Sequence, residues 1–509
     1  MSATPSSLAR RRRLRLWLHL AWTFFGGAWI GLVALACAAG FLVIAGEGEE
    51  GVPVSIVGIA VAFFGLWWLA ALVPARDPAP ADDGPLLDRQ AEPAIHTAVE
   101  RAAAAVGMRL PIEIVISPSA GASCQEMGWL LGRRRCRVEI GAAHLQALDQ
   151  AQLEGLLAFH LAHQADGDLL LRRVIAGTMR IIERADGLRA RNLASHRRRI
   201  VDAWLAYQEV HAHAIDAAAA RAVGGNLYRS ALRRSSIVPG IFDQFLSDEV
   251  QPILDESLAP GDLYEGFRLC LEALEETGQL ERIEERAGEE ERTGSAPTLG
   301  ERLDFLRTQP PSLDSLAAAV AGMPARSLLA EPAPLEAACA ARLLRPSEEA
   351  ETIGWSEVGE RVWAVRYRRA AAALRGALPP NTSLAFVIDW LAAAPAQLAL
   401  AAAAWPRLLD RDLTDEHRSA EARQLLERGL AGWIGEELER RGWRWDTSPG
   451  YAVELVDAEG ARVAPAAILG PIGESAGAVE ALHERLAELG LGGKPAPLRQ
   501  PARSRSWLH

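Results

Sequence analysis

Two long runs of apolar residues occupy most of the first 76 positions of the chain. Residues 16–45 are interrupted only by His19, Thr23 and small residues, and residues 52–73 contain no ionisable side chain. Each run exceeds the roughly 20 residues that a helix needs to cross the hydrocarbon core of a bilayer. A cleaved signal peptide would instead have a shorter apolar region and a cleavage site. The pattern therefore predicts a membrane anchor in residues 1–76, built as a transmembrane helical hairpin.

Charged residues around this hairpin predict its orientation. Arginines at positions 10–13 and 15 precede the first run, glutamates at 47, 49 and 50 lie in the loop, and Arg76 follows the second run. Basic residues favour the cytoplasmic side of a membrane. We therefore expect both ends of the hairpin, and the soluble region after it, in the cytoplasm. The membrane would be a cell membrane of the bacterial inner-membrane type, and its lipid bilayer is the first expected partner.

A first soluble domain is expected in residues 77–310, after a linker rich in Pro and Asp. Asp149 is a plausible helix N-cap, and Gly224 with Gly225 is a typical helix end. The hydrophobic pattern predicts strands at 112–117 and 135–140 and helices at 92–106, 152–165, 169–194 and 200–223. This domain should therefore be mainly α-helical with a small β-sheet.

Residues 311–491 are predicted to form an accessory α+β domain, followed by a disordered tail at 492–509. Its expected strands, 451–456 and 461–464, flank a turn of the sequence Asp-Ala-Glu-Gly, which is typical of a hairpin. Helices are expected at 335–344, 357–378, 421–442 and 476–489. The predicted fold class of the whole chain is mainly α.

Charge and cysteine content exclude some classes of protein. The net charge of -11 argues against a nucleic-acid partner. The five cysteines are scattered and form no Cys-x-x-Cys pair, which argues against a disulfide framework and against a cysteine zinc module.

The most informative motif lies in the predicted helix 152–165. It reads Phe159-His160-Leu161-Ala162-His163, with Asp168 after it. Further along, residues 209–225 contain Asp216 and the glycine pair, and residues 295–303 read Ser-Ala-Pro-Thr-Leu-Gly-Glu-Arg-Leu. In order and spacing these segments resemble membrane zinc metallopeptidases related to HtpX and the CAAX prenyl proteases. In that family the first helix reads His-Glu-x-x-His, where the two His bind zinc and the Glu is the general base.

The sequence departs from the family pattern at the residues that do the chemistry. Phe159 stands at the first ligand position and His160 at the general-base position. Ala212 stands where the resemblance implies the third ligand, a Glu, and Ala296 replaces a His of the third segment. His163 alone matches a ligand. Because a catalytic zinc needs three protein ligands and a water, no catalytic residue can be assigned.

The sequence leaves three functional hypotheses open. The first is a homologue without catalytic activity that binds membrane proteins or an active peptidase relative, with zinc absent or weakly bound. The second is an active zinc endopeptidase with a rearranged metal site, cleaving membrane or misfolded proteins. The third is a structural membrane scaffold.

The rearranged site would use His160 and His163 from one helix with His213 and Asp216 from the next. Each pair is spaced i, i+3, so its two side chains share a helix face. His211 and His213 face apart, and we expect His144 to be a surface residue.

Overall fold

The structure is a computed structural model that describes part of the chain. The described residues are 12–18, 20, 84–127, 135–165, 190–289, 297–308, 322–345, 350–378, 382–393, 415–469 and 476–491. The second predicted span (52–73), nearly all of the first (16–45), most of the helix expected at 169–194 and the expected disordered tail (492–509) lie outside these residues. Among the described helices, none is both long enough and apolar enough to span a bilayer.

The chain divides into two compact units. The first comprises Met1–Asp243 and Glu275–Arg345, and the second Gln244–Leu274 and Pro346–His509. Both units are mainly helical and carry small sheets, as the sequence predicts.

The first unit contains α1 to α6, α9 to α11 and one three-stranded sheet. These helices are α1 (residues 12–18), α2 (Pro93–Ala105), α3 (Ala142–Ala147), α4 (Gln150–Ala165), α5 (Ala190–Val223), α6 (Gly225–Phe245), α9 (Gln279–Gly288), α10 (Leu299–Arg307) and α11 (Pro332–Leu344). The strands are β1 (Ile112–Ser117), β2 (Ala122–Met127) and β3 (Arg135–Gly141).

Helix α4 lies at the centre of this unit and packs against α2, α5 and β2. Its leucines at 153, 156, 157 and 161 are all buried, because a helix that is apolar on most of its faces must be surrounded by protein. Asp149 is its N-cap, as predicted: Oδ1 of Asp149 accepts a hydrogen bond from the Gln152 amide at 2.7 Å, and Gln152 Oε1 accepts one from the Asp149 amide at 3.0 Å. The following helix, α5, ends as predicted at Gly224, where φ is +96°.

The sheet differs from the predicted strand pair. Its order is β1-β3-β2, with β1 parallel and β2 antiparallel to β3. The sequence did not predict β2, because its residues, Ala-Ser-Cys-Gln-Glu-Met, include no β-branched or aromatic side chain of the kind that is enriched in strands. The structure pairs Cys124 of β2 with Cys136 of β3, with their Cα atoms 6.7 Å apart. The sequence argues against a disulfide framework, and a single pair does not make one. The two positions are diagonal neighbours on one face of the sheet, which sequence spacing does not reveal.

The second unit is built on a pair of packed helices and a small antiparallel sheet. Its helices are α7 (Gln251–Asp255), α8 (Leu263–Glu276), α12 (Trp355–Val358), α13 (Ala364–Ala377), α14 (Leu384–Ala393), α15 (Asp415–Glu439), α16 (Pro465–Leu469) and α17 (Ala476–Glu488). The strands are β4 (Leu258–Pro260), β5 (Glu351–Ile353), β6 (Arg444–Asp446), β7 (Glu454–Val456) and β8 (Arg462–Val463). Buried side chains of α13 and α15, including Leu374, Leu430 and Ile434, form the centre of its core.

The division into units departs from the expected domain bounds of 77–310 and 311–491. Residues 244–274 belong to the second unit, where β4 pairs in parallel with β5. The 322–345 segment belongs to the first, where the amide of Ala325 donates to the carbonyl of Leu148 and Arg326 is paired with buried Glu336. Contacts between segments far apart in sequence decide to which unit residues 244–274 and 322–345 belong. The hydrophobic periodicity of a single segment does not reveal such contacts.

Close packing of α13 against α15 requires glycine at position 432. A Cβ added there would lie 2.1 Å from the main-chain oxygen of Tyr367. We expect Gly432→Ala to lower the unfolding free energy of the second unit by about 1–3 kcal/mol, because a backbone atom cannot rotate away. Gly376→Ala in α13, where nothing lies within 4 Å of the added Cβ, is the control. It should be neutral or stabilising by up to about 1 kcal/mol. Thermal unfolding of both variants measures the difference, and equal effects would contradict the packing.

Candidate functional site

The predicted site residues lie on α4 and α5, and a third helix supplies a residue between them. Helix α10 starts at Thr298, whose side chain accepts a hydrogen bond from the Glu301 amide, while the Glu301 carboxylate accepts one from the Thr298 amide. This capping box fixes the first turn of the helix. The residue after Glu301 is Arg302, which packs toward α5.

Arg302 and Asp216 form a buried ion pair at the centre of the site. Arg302 Nε donates to Asp216 Oδ2 at 2.9 Å, and Arg302 Nη2 donates to Oδ1 at 2.6 Å. The Asp216 side chain is fully buried and that of Arg302 is 18% exposed. The arrangement is a two-pronged guanidinium–carboxylate contact, which is stronger than a single charged hydrogen bond.

Tyr228 of α6 completes this centre. Its hydroxyl donates to Asp216 Oδ1 at 2.7 Å and accepts from Arg302 Nη2 at 3.2 Å. Burial and the neighbouring Asp216 charge raise the pKa of Tyr228 well above its usual value. Burial alone would lower the pKa of Arg302, but its hydrogen bonds to Asp216 raise that pKa above the usual range. Arg302 is therefore a permanent cation here.

Phe159, at the position of the first ligand in the family pattern, contacts this cation. The guanidinium carbon of Arg302 lies 4.7 Å from the centroid of the Phe159 ring, a cation–π distance. The centroid of the Phe159 ring also lies 4.9 Å from that of the His163 ring and 6.3 Å from that of the Tyr228 ring. A hydrophobic side chain and a guanidinium thus occupy the region in which the family pattern implies a metal.

The histidines of the predicted metal set point in different directions. The ring of His163 is 5.4 Å from that of His211, and His211 Nδ1 is 3.2 Å from the hydroxyl of Tyr207. His213, the residue chosen from the sequence, instead packs its ring 4.5 Å from Phe305. The structure therefore places His211 beside His163, not His213.

His160 is electrostatically coupled to His144. Burial, followed by the charges of His144 and Arg302, lowers the pKa of His160 to about 4. Burial also lowers the pKa of His144 to about 4, against a raising contribution from a backbone hydrogen bond at Ser235. The expectation that His144 is a surface residue is wrong: it is 2% exposed. It lies in α3, directly after β3, and receives a backbone hydrogen-bond contribution from Ser235 of α6.

These positions do not fit a zinc ion. Among the residues that the structure describes, no group of three or more His, Cys, Asp or Glu side chains is close enough to hold a metal. Both carboxylate oxygens of Asp216 are bound by Arg302, and His160 and His213 have separate surroundings. A tetrahedral site needs four ligand atoms converging on one point, which the predicted set of His160, His163, His213 and Asp216 does not provide.

The sequence contained part of the signal for this centre. Arg302 lies inside the segment 295–303 that resembles the family, although its partner could not be read from one chain. Nothing in the sequence indicated the role of Tyr228, because a tyrosine in an amphipathic helix is ordinarily a core residue.

Compared with known proteins, the chain matches no family model, no curated sequence and no solved structure.

Removing one partner of the buried ion pair should cost much more than removing one partner of an exposed pair on the same helix. We expect Arg302→Met to lower the unfolding free energy by about 3–5 kcal/mol, because it leaves the Asp216 carboxylate buried without a countercharge. Arg307→Met removes the exposed pair with Asp304 at the end of α10, with both side chains more than 60% exposed. It should cost less than about 1 kcal/mol.

Chemical denaturation of both variants measures the contrast. An Asp216→Asn/Arg302→Met double variant should lose less than the sum of its single variants, because the unpaired charge is gone. Additive losses would contradict the pairing.

The two histidines with a lowered pKa, His144 and His160, should make the first unit less stable in acid. In the unfolded chain they take up protons near their usual pKa of 6.5, whereas in the folded chain they do so only near pH 4. The unfolded state therefore binds more protons in this interval, and stability falls as the pH falls from 6.5 to 4. The slope is about 1.4 kcal/mol per pH unit for each histidine.

Unfolding measured at several pH values tests this dependence. His160→Gln should reduce the slope of the unfolding free energy against pH by about 1.4 kcal/mol per pH unit between pH 4 and 6.5, which corresponds to one proton. It should leave the slope unchanged above about pH 7.5. A slope equal to that of the wild type between pH 4 and 6.5 would contradict the assignment.

Proposed function

We propose that this chain is a membrane-anchored homologue of zinc metallopeptidases that has no peptidase activity and acts by binding membrane proteins. The observation that carries the proposal is the contact between Arg302 and Phe159. The missing ligands are one argument against a metal centre, and this contact is a second. A fixed positive charge covers the position at which the family pattern has its first ligand.

Electrostatics oppose a divalent metal at this point. A cation brought close to the Arg302 guanidinium would be repelled strongly in a region where little water screens the charge. Removing Arg302 from the region would break its pair with Asp216, at a cost of about 3–5 kcal/mol. Asp216, which the sequence analysis considered as a metal ligand, is therefore part of a structural ion pair with Arg302.

The chemistry of hydrolysis has no general base in this arrangement. His160 occupies the base position in sequence, and its pKa of about 4 makes it a weak base at neutral pH. The Phe159 ring contacts the rings of His160 and Tyr228, and the Tyr228 hydroxyl donates to Asp216. These features support a role in which the scaffold is retained for binding.

The sequence supplies the membrane part of the proposal. Residues 16–45 and 52–73 would anchor the chain, and the arginines before them would keep the soluble units in the cytoplasm. Partners would then be membrane proteins, including an active peptidase relative, presented at the same membrane face.

Metal content and hydrolysis test the absence of catalysis. Purified, tag-free wild type should hold no more zinc than a His160→Ala/His163→Ala/His213→Ala variant, and casein should not be cleaved faster than in buffer alone. Without an activated water and a general base, the rate enhancement of a metallopeptidase is not available.

Two outcomes would change the proposal. One zinc per chain that is lost in the triple variant, together with hydrolysis abolished by a chelator, would favour the rearranged metal site. Capture of a membrane protein by both wild type and His163→Ala supports the binding role. Capture of a soluble protein, and of no membrane protein, by the full chain would favour the scaffold hypothesis.

A further inference from the structure

The N-terminal helix α1 is fixed to the long helix α5. Leu16, together with Leu20 just beyond α1, packs against Ile200 and Tyr207, and all four side chains are buried. At the start of α1, Arg12 donates to the main-chain oxygen of Ala206 at 2.5 Å. Its guanidinium also lies 3.7 Å from the carboxylate of Glu209.

The order of these contacts makes the two helices antiparallel. Arg12 meets α5 at positions 206 and 209, and the leucines that follow it pack toward position 200. With a rise of about 1.5 Å per residue, Leu20 is about 12 Å further along α1 than Arg12. Arg198 and Arg199 therefore lie near the level of Leu20, in the first two turns of the apolar run 16–45. Because this run is about ten residues longer than a helix needs to cross the hydrocarbon core, its first two turns have room at the headgroup level.

The outer surface around this level combines arginines with large apolar side chains. Arg198 and Arg199 are exposed on α5, and Arg15 is exposed on α1. Beside Arg15, Leu14 is 62% and Leu18 63% exposed. With Leu86 at 63%, they are the three most exposed large hydrophobic residues among those described. Exposed leucines next to arginines are typical of a helix at a membrane surface.

Among the described side chains of α1 and of α5 between positions 198 and 209, the carboxylates are Asp202 and Glu209. Asp202 is exposed on α5 within one turn of Arg198 and Arg199, and Glu209 is engaged by Arg12 at the other end. Since the whole chain carries a net charge of -11, a local excess of arginine is a departure from the average surface. A negatively charged partner suits it.

We propose that α5 is a second membrane-contacting element, whose Arg198 and Arg199 bind the headgroups of anionic phospholipids beside α1. This inference rests on the proposed membrane anchor. The anchor alone would place α1 at the membrane, and the packing of α5 along α1 brings the additional arginines to the headgroup level. Each arginine near an anionic surface strengthens binding roughly fivefold.

Hydrogen–deuterium exchange of the full chain in lipid nanodiscs tests the proposal. Nanodiscs made of phosphatidylcholine alone are compared with nanodiscs containing phosphatidylglycerol. Exchange in residues 198–209 should slow at least severalfold with the anionic lipid, and high salt should reverse the effect because it screens exposed charges. Arg198→Glu/Arg199→Glu should abolish the difference between the two lipids.

The control variant is Arg282→Glu/Arg286→Glu on α9, which changes two exposed arginines by the same charge. It should keep the lipid effect of the wild type. Equal exchange in the two lipids, an equal response of both variants, or the same slowing with soluble glycerol phosphate would overturn the proposal. Alkaline extraction of the membranes is measured separately: release of the chain would refute the anchor, whereas retention without a lipid effect would refute only the role of α5.

Discussion

The bidentate pair between Asp216 and Arg302 is the interaction on which the centre of the first unit depends. It joins α5 to α10 across more than eighty residues of sequence, and Tyr228 adds a contact from α6. A charge pair buried this deeply gains little net energy over an apolar contact, yet loses much if one partner is removed. The pair therefore disfavours any arrangement of these helices that would leave one of the two charges buried alone.

The same pair explains the chemistry of its neighbours. The cation stacks on Phe159 and contributes to the low pKa of His160, while the carboxylate contributes to the raised pKa of Tyr228. The ionisable groups around it are thus held in fixed states at neutral pH: arginine charged, tyrosine and histidine neutral. This distribution favours packing over proton transfer, since catalysis requires groups that change protonation near the working pH.

Local signals in the sequence predicted local structure well. The Asp149 cap, the glycine end of α5 and the hairpin turn between β7 and β8 each depend on residues within one turn, and the structure has all three. Strand β2 and the assignment of residues 244–274 depend on pairing with distant segments. At the candidate site, the sequence predicted helices at α4 and α5 but not the partner of Asp216. The sequence around Arg302 does not indicate which carboxylate that arginine will contact.

The capping box at Thr298 begins α10, the helix that carries the positive charge of Arg302 into the centre formed with Asp216 and Tyr228. A metal ion is exchanged with solution, so its site can be filled, emptied or occupied by a competing ion. The positive charge in this centre is instead part of the polypeptide and is delivered when α10 folds and docks. The presence of this charge is then set by folding alone and does not depend on an ion that exchanges with solution.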